Sequence, residues 1–388
     1  MWIPRKFSPD TVAKTALPIK ILKGPRQTGK TSLLARMGTH QVVYLDDLAV
    51  RQRARSNPRF FLDELPARII LDEAPLAPEL FSEIKRRVDE ARLVGQAPPD
   101  IWITGSNQTL LQSEVRESLA GRASYFDLNT LSAHELQSRF KIGDFLFRGG
   151  WPELYASEHL DPLRYLNDLI STFIERDIVA AAGIERLEAF TKCLQLTAAR
   201  VGQLMNFSDI ARSSGVESPT IQSWLTILER NGVIRRLEPF FTNLNKRLIR
   251  APKFYFEDVA LGTRLQGWTE LQPLLVSPNA GALLENIVVT EVARFFTNRG
   301  ENPQLNFLRS KEGVEIDLLV NLPNQRTIAI EVKSAPRPLT QEQHRLLDQS
   351  QLPIIARWVV APTPSPDSPG CRHILIGALA DELQKLIG

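Results

Sequence analysis

Eight consecutive residues, 24–31, have the types and spacing of a phosphate-binding loop. Gly24, Gly29, Lys30 and Thr31 match the pattern G-x-x-x-x-G-K-[ST]. The glycines let backbone N–H groups turn toward phosphate oxygens, the lysine places a positive charge on the β- and γ-phosphates, and the threonine hydroxyl is a ligand for Mg²⁺. The alternative is a strand-to-helix turn that binds nothing. We therefore predict ATP and Mg²⁺ as cofactors and nucleotide contacts from Gly24, Pro25, Arg26, Gln27, Thr28, Gly29, Lys30, Thr31 and Ser32.

A second polar group follows an apolar segment at 69–73, which reads Ile-Ile-Leu-Asp-Glu. Asp72 is predicted to contact the nucleotide site and hold Mg²⁺ together with Thr31, and Glu73 to polarise the attacking water as a general base. Another apolar segment, 101–104, is followed closely by Asn107, a candidate contact to the γ-phosphate. The alternative for these side chains is a solvated strand end.

Hydrolysis at such a site often requires an arginine that a neighbouring subunit supplies. Arg122, within Leu-Ala-Gly-Arg, is the candidate we favour, and Arg116 and Arg148 are alternatives. An ordinary surface charge is the competing interpretation for each of them. The predicted catalytic residues are Lys30, Glu73 and Arg122.

Four charged residues in the C-terminal part form a second candidate site. They are Glu285, Asp317, Glu331 and Lys333. Glu331 and Lys333 are two apart on a predicted strand, so both face the same side. Carboxylates bind hard cations that activate water, and a lysine stabilises charge, which is typical of a Mg²⁺-dependent phosphodiesterase site. Asp317 and Glu331 are the predicted metal ligands, whereas a cross-strand salt bridge is the alternative.

Residues 207–237 have the pattern of a helix-turn-helix followed by a strand. Ser218 is a good N-cap and Pro219 a good first helical residue for the second helix. Basic residues follow with a single acid, Glu238, among them, and such a patch suits phosphate contacts without sequence choice. A packing or oligomerisation module and a solvated loop face are the alternatives. The predicted DNA-binding residues are Arg235, Arg236, Lys246, Arg247, Arg250 and Lys253.

Three sections of the chain must position these residues. Short apolar strands alternate with helical patterns in the first section, which predicts a parallel sheet covered on both faces. The middle section is helical and includes an amphipathic stretch at 163–182. The last section opens with a helix at 282–296 and continues with strands. The predicted domains are 1–155, 156–275 and 276–388.

Taken together, the motifs resemble those of a group of bacterial and archaeal AAA-superfamily ATPases with a C-terminal domain of unknown function that has a restriction-endonuclease-like, PD-(D/E)XK fold. The resemblance covers nearly the whole chain. It rests on Gly-Pro-Arg-Gln-Thr-Gly-Lys-Thr at 24–31, Ile-Leu-Asp-Glu at 70–73, Thr-Gly-Ser at 104–106, Ala-Gly-Arg at 120–122, Arg-Gly-Gly-Trp-Pro-Glu at 148–153, Leu-Glu-Asn at 284–286, Glu-Ile-Asp at 315–317 and Glu-Val-Lys-Ser at 331–334. Members usually follow the second acid with an apolar residue and a glutamine, where this chain has Ala74-Pro75.

The resemblance implies an α/β protein of three modules. These are an N-terminal AAA-type P-loop NTPase with a parallel sheet, a middle helical and winged-helix domain, and a C-terminal PD-(D/E)XK nuclease-like α/β domain. It also implies a homo-oligomer, expected to be a ring, because AAA ATPases hydrolyse ATP at subunit interfaces.

Composition limits the classes of function. The 388 residues are 43% hydrophobic and 23% charged, as in a globular protein, and the net charge of +3 permits nucleic-acid binding without arguing for it. Two cysteines, Cys193 and Cys371, do not make a disulfide framework and favour a reducing cytoplasm. The sequence offers no apolar run of about 18 residues that would span a membrane.

The sequence thus predicts an ATP-hydrolysing motor that binds and remodels DNA, branched DNA included, and whose C-terminal domain grips or cleaves it. The competing hypothesis is a regulatory or signalling ATPase that acts on a protein partner and uses the nuclease-like domain as an inactive scaffold.

Overall fold

The computed structural model describes residues 2–105, 118–157, 159–240 and 251–388, which contain a five-stranded and a seven-stranded β-sheet. Helices pack around both sheets. The strands are β1 Ile19–Lys23, β2 Gln41–Tyr44, β3 Arg68–Asp72, β4 Asp100–Thr104, β5 Ala123–Asp127, β6 Ile234–Pro239, β7 Lys253–Phe256, β8 Gln304–Arg309, β9 Glu315–Leu322, β10 Arg326–Val332, β11 Ile354–Ala361 and β12 Arg372–Leu375.

The five-stranded sheet has the order β2-β3-β4-β1-β5, and all of its pairs are parallel, as the continuous apolar strands predict. Because these strands are parallel, the carboxyl ends of β1, β3 and β4 lie at the same edge of the sheet, where ligands bind in open α/β sheets. The helices of this part are α1 Pro9–Ala13, α2 Lys30–Ala35, α3 Leu48–Ser56, α4 Pro58–Asp63, α5 Glu79–Leu93 and α6 Ala133–Leu136.

Apolar side chains cover both faces of this sheet. Ile21 and Ile103 are fully buried in one core, and Trp102 is fully buried in the other, where its ring centroid lies 5.9 Å from that of Phe126. The buried strands hold the loops at their carboxyl ends in fixed positions, so the residues of the phosphate-binding loop have a rigid support.

The middle part is helical, as predicted, but residues 163–182 do not form one regular α-helix. A π-helix, Ile170–Ile178, separates two α-helical pieces. Its wider i→i+5 turn keeps Phe173 and Ile178, which are both buried, on the same side of the helix. The α-helices here are α7 Ile142–Arg148, α8 Pro152–Ala156, α9 Pro162–Leu169, α10 Val179–Ala182, α11 Leu187–Ala199, α12 Phe207–Ser214 and α13 Ser218–Arg230.

Helices α12 and α13 are joined by the short turn of a helix-turn-helix. The prediction that Ser218 is the N-cap of α13 is wrong, because the helix begins at Ser218 and its N-cap is Glu217, which makes no side-chain cap hydrogen bond. Gly215 ends α12 in the left-handed conformation that favours glycine at this position. Strands β6 and β7 follow as an antiparallel pair, and β6 also pairs in parallel with β8. The seven-stranded sheet therefore extends across the boundary predicted between 275 and 276.

The seven-stranded sheet has the order β12-β11-β10-β9-β8-β6-β7 and mixes parallel with antiparallel pairs. Strands β9 and β10 form an antiparallel hairpin that contains Asp317 and Glu331. The remaining α-helices are α14 Val259–Leu265, α15 Leu271–Leu275, α16 Ala280–Thr297, α17 Gln341–Gln349 and α18 Leu379–Ile387. Short 3₁₀ turns lie at Ala74–Leu76, Gln137–Arg139 and Ile376–Ala378.

Within the described ranges, none of the helices is both long enough and apolar enough to cross a lipid bilayer.

Candidate functional site

The phosphate-binding loop connects β1 to α2, and its first glycine is required by close packing. A Cβ on Gly24 would lie 2.1 Å from the carbonyl oxygen of Leu128, and the φ of Gly24 is +148°. Gly29, at φ +85°, immediately precedes α2. Glycine has no side chain that would distort the loop at either position. Backbone N–H groups can therefore line a concave surface in front of the helix.

Lys30 is buried at the base of this loop. Its Nζ donates to the carbonyl oxygens of Gly24 at 2.9 Å and of Pro25 at 2.7 Å. Burial lowers the pKa of Lys30 to about 8, and the negative charges of Glu73 and Asp72 oppose that shift. Phosphate oxygens are charged and therefore stronger acceptors for this ammonium than the two neutral carbonyls.

A hydroxyl and a carboxylate meet beside this lysine, as the motifs predict. Oγ1 of Thr31 donates to Oδ1 of Asp72 at 2.6 Å, and Oγ1 of Thr104 donates to the same oxygen. A carboxylate with a neighbouring hydroxyl is the oxygen donor set that Mg²⁺ prefers in nucleotide sites, so these residues fit that ion. Thr104 was not among the predicted residues, although its position at the end of β4 resembles that of Asp72 at the end of β3.

Glu73 follows Asp72 in a left-handed backbone conformation with φ +53°. This conformation costs a non-glycine residue of the order of 1 kcal/mol or more, and such strain is concentrated at functional sites. The turn places Glu73 on the wall of the cavity in front of the phosphate-binding loop. That is the location expected of a group that polarises water.

The cavity has a volume of about 790 Å³, within the range of small-molecule sites. The loop, Asp72, Glu73 and the 3₁₀ turn after them form one side. The other side comes from the middle part of the chain, which sequence reasoning did not predict. Its lining residues there are Phe173, Asp177, Ile178, Ala180, Ala181 and Asn231.

Two contacts connect the loop with the middle part of the chain. Nε of Arg26 lies 2.9 Å from Oδ2 of Asp177 in the π-helix, and the hydroxyl of Tyr165 donates to Oε1 of Gln27. Nothing in the local sequence marks Tyr165 or Asp177 as partners of the loop, because their proximity depends on how the helices pack.

Arg5, which the sequence motifs did not indicate, supports the phosphate-binding loop through hydrogen bonds to its backbone and to neighbouring segments. Its guanidinium donates to the carbonyl oxygens of Thr28 at 2.8 Å and Asn129 at 2.6 Å, and to Oε1 of Glu135 at 2.9 Å. The three partners lie on separate elements, so a single buried cation ties the loop to the segment after β5. An isolated arginine ahead of the first strand gives no sequence signal of such a role.

The candidate arginines for catalysis lie elsewhere. Arg122 binds both carboxylate oxygens of Asp89, at 2.6 and 2.8 Å, and Arg148 donates to the carbonyl oxygen of Leu154. Neither lines the cavity within its own chain, which leaves a contribution in trans as a prediction for Arg122. Arg116 and Asn107 lie outside the described residues.

The C-terminal site brings carboxylates together beneath α16. Oxygens of Glu285, Glu315 and Asp317 all lie within 4.8 Å of one another. Glu315 was not predicted, although it precedes Asp317 by two residues on β9 and therefore shares its face. Burial and the charges of Glu285 and Glu331 raise the pKa of Asp317 well above its usual range.

Glu331 and Lys333 are near this group but do not form its centre. Nζ of Lys333 lies 2.6 Å from Oε1 of Glu331, and Glu331 is 5% exposed. The N–H of Val332 donates to Oδ2 of Asp317 at 2.8 Å, which joins β10 to β9 beside the carboxylates. Asp317 and Glu331, the two predicted metal ligands, are therefore neighbours. The three oxygens that lie within 4.8 Å of one another, however, belong to Glu285, Glu315 and Asp317 and not to Glu331.

The predicted DNA-binding patch is only partly a surface. Lys253 is 2% exposed, and its ammonium lies within the acidic cluster, so the structure contradicts a role for Lys253 in contacting DNA phosphates. Arg235 pairs with Glu257 at 2.7 Å, while Arg236 lies farther from its acidic partners, 3.5 Å from Glu229. The other three predicted residues, Lys246, Arg247 and Arg250, lie outside the described residues.

Comparison with sequence families divides the chain into three matches. Residues 17–137 match the AAA domain, 139–272 match a domain of unknown function (DUF8612), and 280–367 match a second domain of unknown function (DUF4143). The first match contains the phosphate-binding loop, Asp72 and Glu73. This part of the chain is therefore an AAA-type P-loop domain.

Similarity to solved structures is weak over the chain as a whole. Aquifex aeolicus DnaA bound to AMPPCP aligns with 57% of this chain and 84% of its own, at 13% identity and a TM-score of 0.27. A point variant of Thermotoga maritima RuvB aligns with 56% of this chain and 81% of its own, at 15% identity and a TM-score of 0.27. Scores this low carry no argument about function.

Relatives in sequence are closer. The uncharacterized proteins Rv2008c of Mycobacterium tuberculosis and Mb2031c of Mycobacterium bovis are each 32% identical over 327 residues, which are 83% of this chain and 71% of theirs. An uncharacterized protein of Haemophilus influenzae is 24% identical over 76% of this chain and 78% of its own. The alignment with the mycobacterial proteins extends well beyond the AAA domain, so the chain belongs to the same protein family as Rv2008c and Mb2031c.

Proposed function

We propose that this protein is a Mg²⁺-dependent ATPase whose nucleotide turnover drives the handling of DNA, with branched DNA among its substrates. The observation that carries the ATPase part is the contact of Thr31 with Asp72 at 2.6 Å, next to the buried ammonium of Lys30. The loop with its terminal hydroxyl and a carboxylate from the end of β3 converge there at the mouth of a cavity large enough for a nucleotide.

Each residue has a distinct part in this proposal. Backbone N–H groups of the loop and Lys30 bind the phosphates, and Thr31 and Asp72 hold Mg²⁺, which neutralises charge that develops during phosphoryl transfer. Glu73 orients the attacking water and accepts its proton. Arg122 of a neighbouring subunit completes the site in a homo-oligomeric ring, a role that requires it to exchange Asp89 for the nucleotide.

The DNA part of the proposal rests on the helix-turn-helix and the arginines that follow it. Gln222 and Ser223 are exposed on α13, the second of the two helices, and Arg236 on β6 is incompletely paired. These side chains suit contacts to a phosphate backbone with little sequence choice. In this proposal the C-terminal acidic cluster holds a divalent ion, and with that ion and Lys333 it grips or cleaves the bound DNA.

One experiment tests the two halves together. Binding and cleavage of single-stranded, duplex and branched DNA are measured with and without ATP and Mg²⁺, and ATP hydrolysis is measured with each DNA. We expect DNA binding that weakens as salt increases, together with turnover that changes when DNA is added. If none of the DNAs binds at low salt, the DNA part is wrong. If Lys333→Ala leaves any Mg²⁺-dependent cleavage unchanged, the cleavage does not come from this site.

A second candidate function has its own support. The ion pair of Arg235 with Glu257 and the burial of Lys253 reduce the positive charge that the patch can offer to DNA. These observations favour a regulatory or signalling ATPase that acts on a protein partner, with the C-terminal domain as an inactive scaffold. Failure to bind any DNA, together with ATP turnover that is intact, is the result expected for this alternative.

A further inference from the structure

Lys253 begins β7, in the part of the chain that precedes the C-terminal domain, yet its side chain enters the acidic cluster of that domain. Nζ of Lys253 lies 3.0 Å from Oε1 of Glu285 and also donates to Oε1 of Glu315. The backbone around it is fixed, because β7 pairs with β6 and the N–H of Met205 donates to the carbonyl oxygen of Pro252 at 2.8 Å. The ammonium is therefore a built part of the cluster and not a surface charge that happens to be near.

The oxygens that Lys253 binds are those that a metal ion would need. Carboxylate oxygens of Glu285, Glu315 and Asp317 lie within 4.8 Å of one another, a spacing that one cation can bridge. Divalent ions in proteins bind such oxygens at roughly 2.0–2.6 Å. An ammonium that already binds these oxygens uses their lone pairs and repels another cation at short range, so Lys253 and a metal ion compete for the cluster.

Glu331 provides a second, independent sign that this is a cation site. It is 95% buried, since only 5% is exposed, and among the described residues no donor reaches its Oε2. Its negative charge helps to raise the pKa of Asp317, and the N–H of Val332, the residue after Glu331, donates to Oδ2 of Asp317, so Glu331 lies close to the cluster. A buried carboxylate oxygen without a donor is costly unless a cation supplies the interaction.

We propose that Lys253 occupies the cation position of the C-terminal site, so that a divalent ion binds there only when this side chain leaves the cluster. The proposal rests on the metal-binding part of the proposed function, but it requires neither ATP nor DNA. It makes Lys253 a positioning residue that decides whether the cluster of Glu285, Glu315 and Asp317 holds a metal.

The test is a Mn²⁺ titration of the full-length chain without nucleotide, in which electron paramagnetic resonance reports free Mn²⁺. All proteins contain Asp72→Asn, so that the phosphate-binding loop does not contribute a site. We expect Lys253→Met to bind one Mn²⁺ at least about tenfold more tightly than the protein with Lys253, since removing an ammonium adjacent to the oxygens removes its repulsion. Asp317→Asn added to Lys253→Met is expected to abolish that binding. Lys311→Met, which removes an exposed lysine, is the matched control and should change nothing.

The outcomes distinguish the role of Lys253 from the existence of a metal site at the acidic cluster. Equal, tight Mn²⁺ binding with and without Lys253, lost in Asp317→Asn, overturns the role of Lys253 but leaves the metal site standing. Absence of binding in every variant overturns both, while ATP hydrolysis and DNA binding keep their own tests.

A second variant protects the test against misfolding, because Lys253→Met leaves buried carboxylates without their ammonium. Lys253→Gln combined with Glu315→Gln preserves the net charge of the cluster and keeps Glu285 and Asp317. It is also expected to bind Mn²⁺ more tightly than the protein with Lys253. Equal or weaker binding by this folded double variant contradicts the proposal.

Discussion

Nε of Arg26 lies 2.9 Å from Oδ2 of Asp177, and this ion pair joins the phosphate-binding loop to the π-helix across the cavity. Arg26 is the third residue of the loop, so its guanidinium is close to the place where phosphates would bind. An acidic side chain from the middle part of the chain therefore competes with the nucleotide for this arginine. The contact is partly exposed, with 42% of the arginine side chain accessible, so its contribution to binding is modest.

The competition predicts that Asp177→Asn binds ATP more tightly. We expect an increase of about twofold to fivefold, which corresponds to the roughly 0.5–1 kcal/mol of a partly exposed ion pair. Isothermal titration calorimetry with ATP and Mg²⁺ measures the change. Asp168→Asn removes an exposed acid from α9, just before the π-helix, and serves as the control that should leave the affinity unchanged. An unaltered affinity in Asp177→Asn would mean that Arg26 does not contact the nucleotide.

Substitutions of Lys30 and Glu73 are predicted to impair different steps, nucleotide binding and ATP hydrolysis respectively. Lys30→Ala removes the cation that binds the phosphates, so nucleotide binding should fall by at least about tenfold. Glu73→Gln keeps the size of the side chain but cannot accept a proton, so ATP should still bind while turnover drops by about a hundredfold or more. Equilibrium binding and steady-state hydrolysis separate the two effects. Lys14→Ala, an exposed lysine on the segment after α1, is the control, and wild-type rates in both site variants would refute the assignment.

The sequence predicts local features of this site better than its tertiary ones. The loop 24–31 and the acids after β3 are found because a motif and a strand of continuous apolar residues define them within a few positions. Phe173 and Asp177 could not be predicted, because they reach the cavity only through the packing of the π-helix against the loop. Their spacing along the chain is typical of any amphipathic helix.

Lys253 shows a different limit. Counting basic residues assigned it to a surface patch, but charge counts do not tell whether a lysine is buried with acids that are distant in sequence. Glu315, in contrast, had a usable signal, since it is two residues before Asp317 on a strand and therefore shares its face. The pairing of β6 with β8, which brings the hairpin into the C-terminal sheet, has no signal in either segment alone.

Arg236 is predicted to contact DNA phosphate through its incompletely paired guanidinium, which lies 3.5 Å from Glu229 and 3.9 Å from Glu238. Arg236→Gln should weaken binding to every DNA by a similar factor. It should also reduce the slope of log affinity against log salt by about 1. Fluorescence anisotropy over a series of salt concentrations measures both.

Two comparisons make that result specific. Arg235 points to the opposite side of β6 and pairs more closely with Glu257, so Arg235→Gln should have the smaller effect. Arg53→Gln removes an equal charge from α3, far along the chain in the AAA domain, and should leave the slope unchanged. A slope that stays the same in Arg236→Gln excludes this arginine from the DNA interface.

Glu291 links the AAA domain to the C-terminal part of the chain. It lies on α16, is 3% exposed, accepts the N–H of Ala133 at 2.8 Å and binds Arg294 at 2.9 Å. Burial raises its pKa to about 6, even though Arg294 and the N–H of Ala133 oppose that shift. The native protein therefore binds a proton at Glu291 more readily than the unfolded chain does.

The raised pKa determines the sign of a pH effect on stability. The contribution of Glu291 is fully present below the unfolded pKa of 4.5 and is lost as pH rises through about 6. The Glu291→Gln variant does not titrate at this position. The free energy of unfolding of the unsubstituted protein, minus that of the variant, should therefore increase by about 1 kcal/mol when pH falls from about 7.5 to about 5. Urea unfolding at the two pH values measures the difference, and Glu270→Gln, at an exposed position, is the control. A difference that stays constant, or that shrinks as pH falls, would show that Glu291 remains ionised at this interface and that Arg294 holds it as a carboxylate.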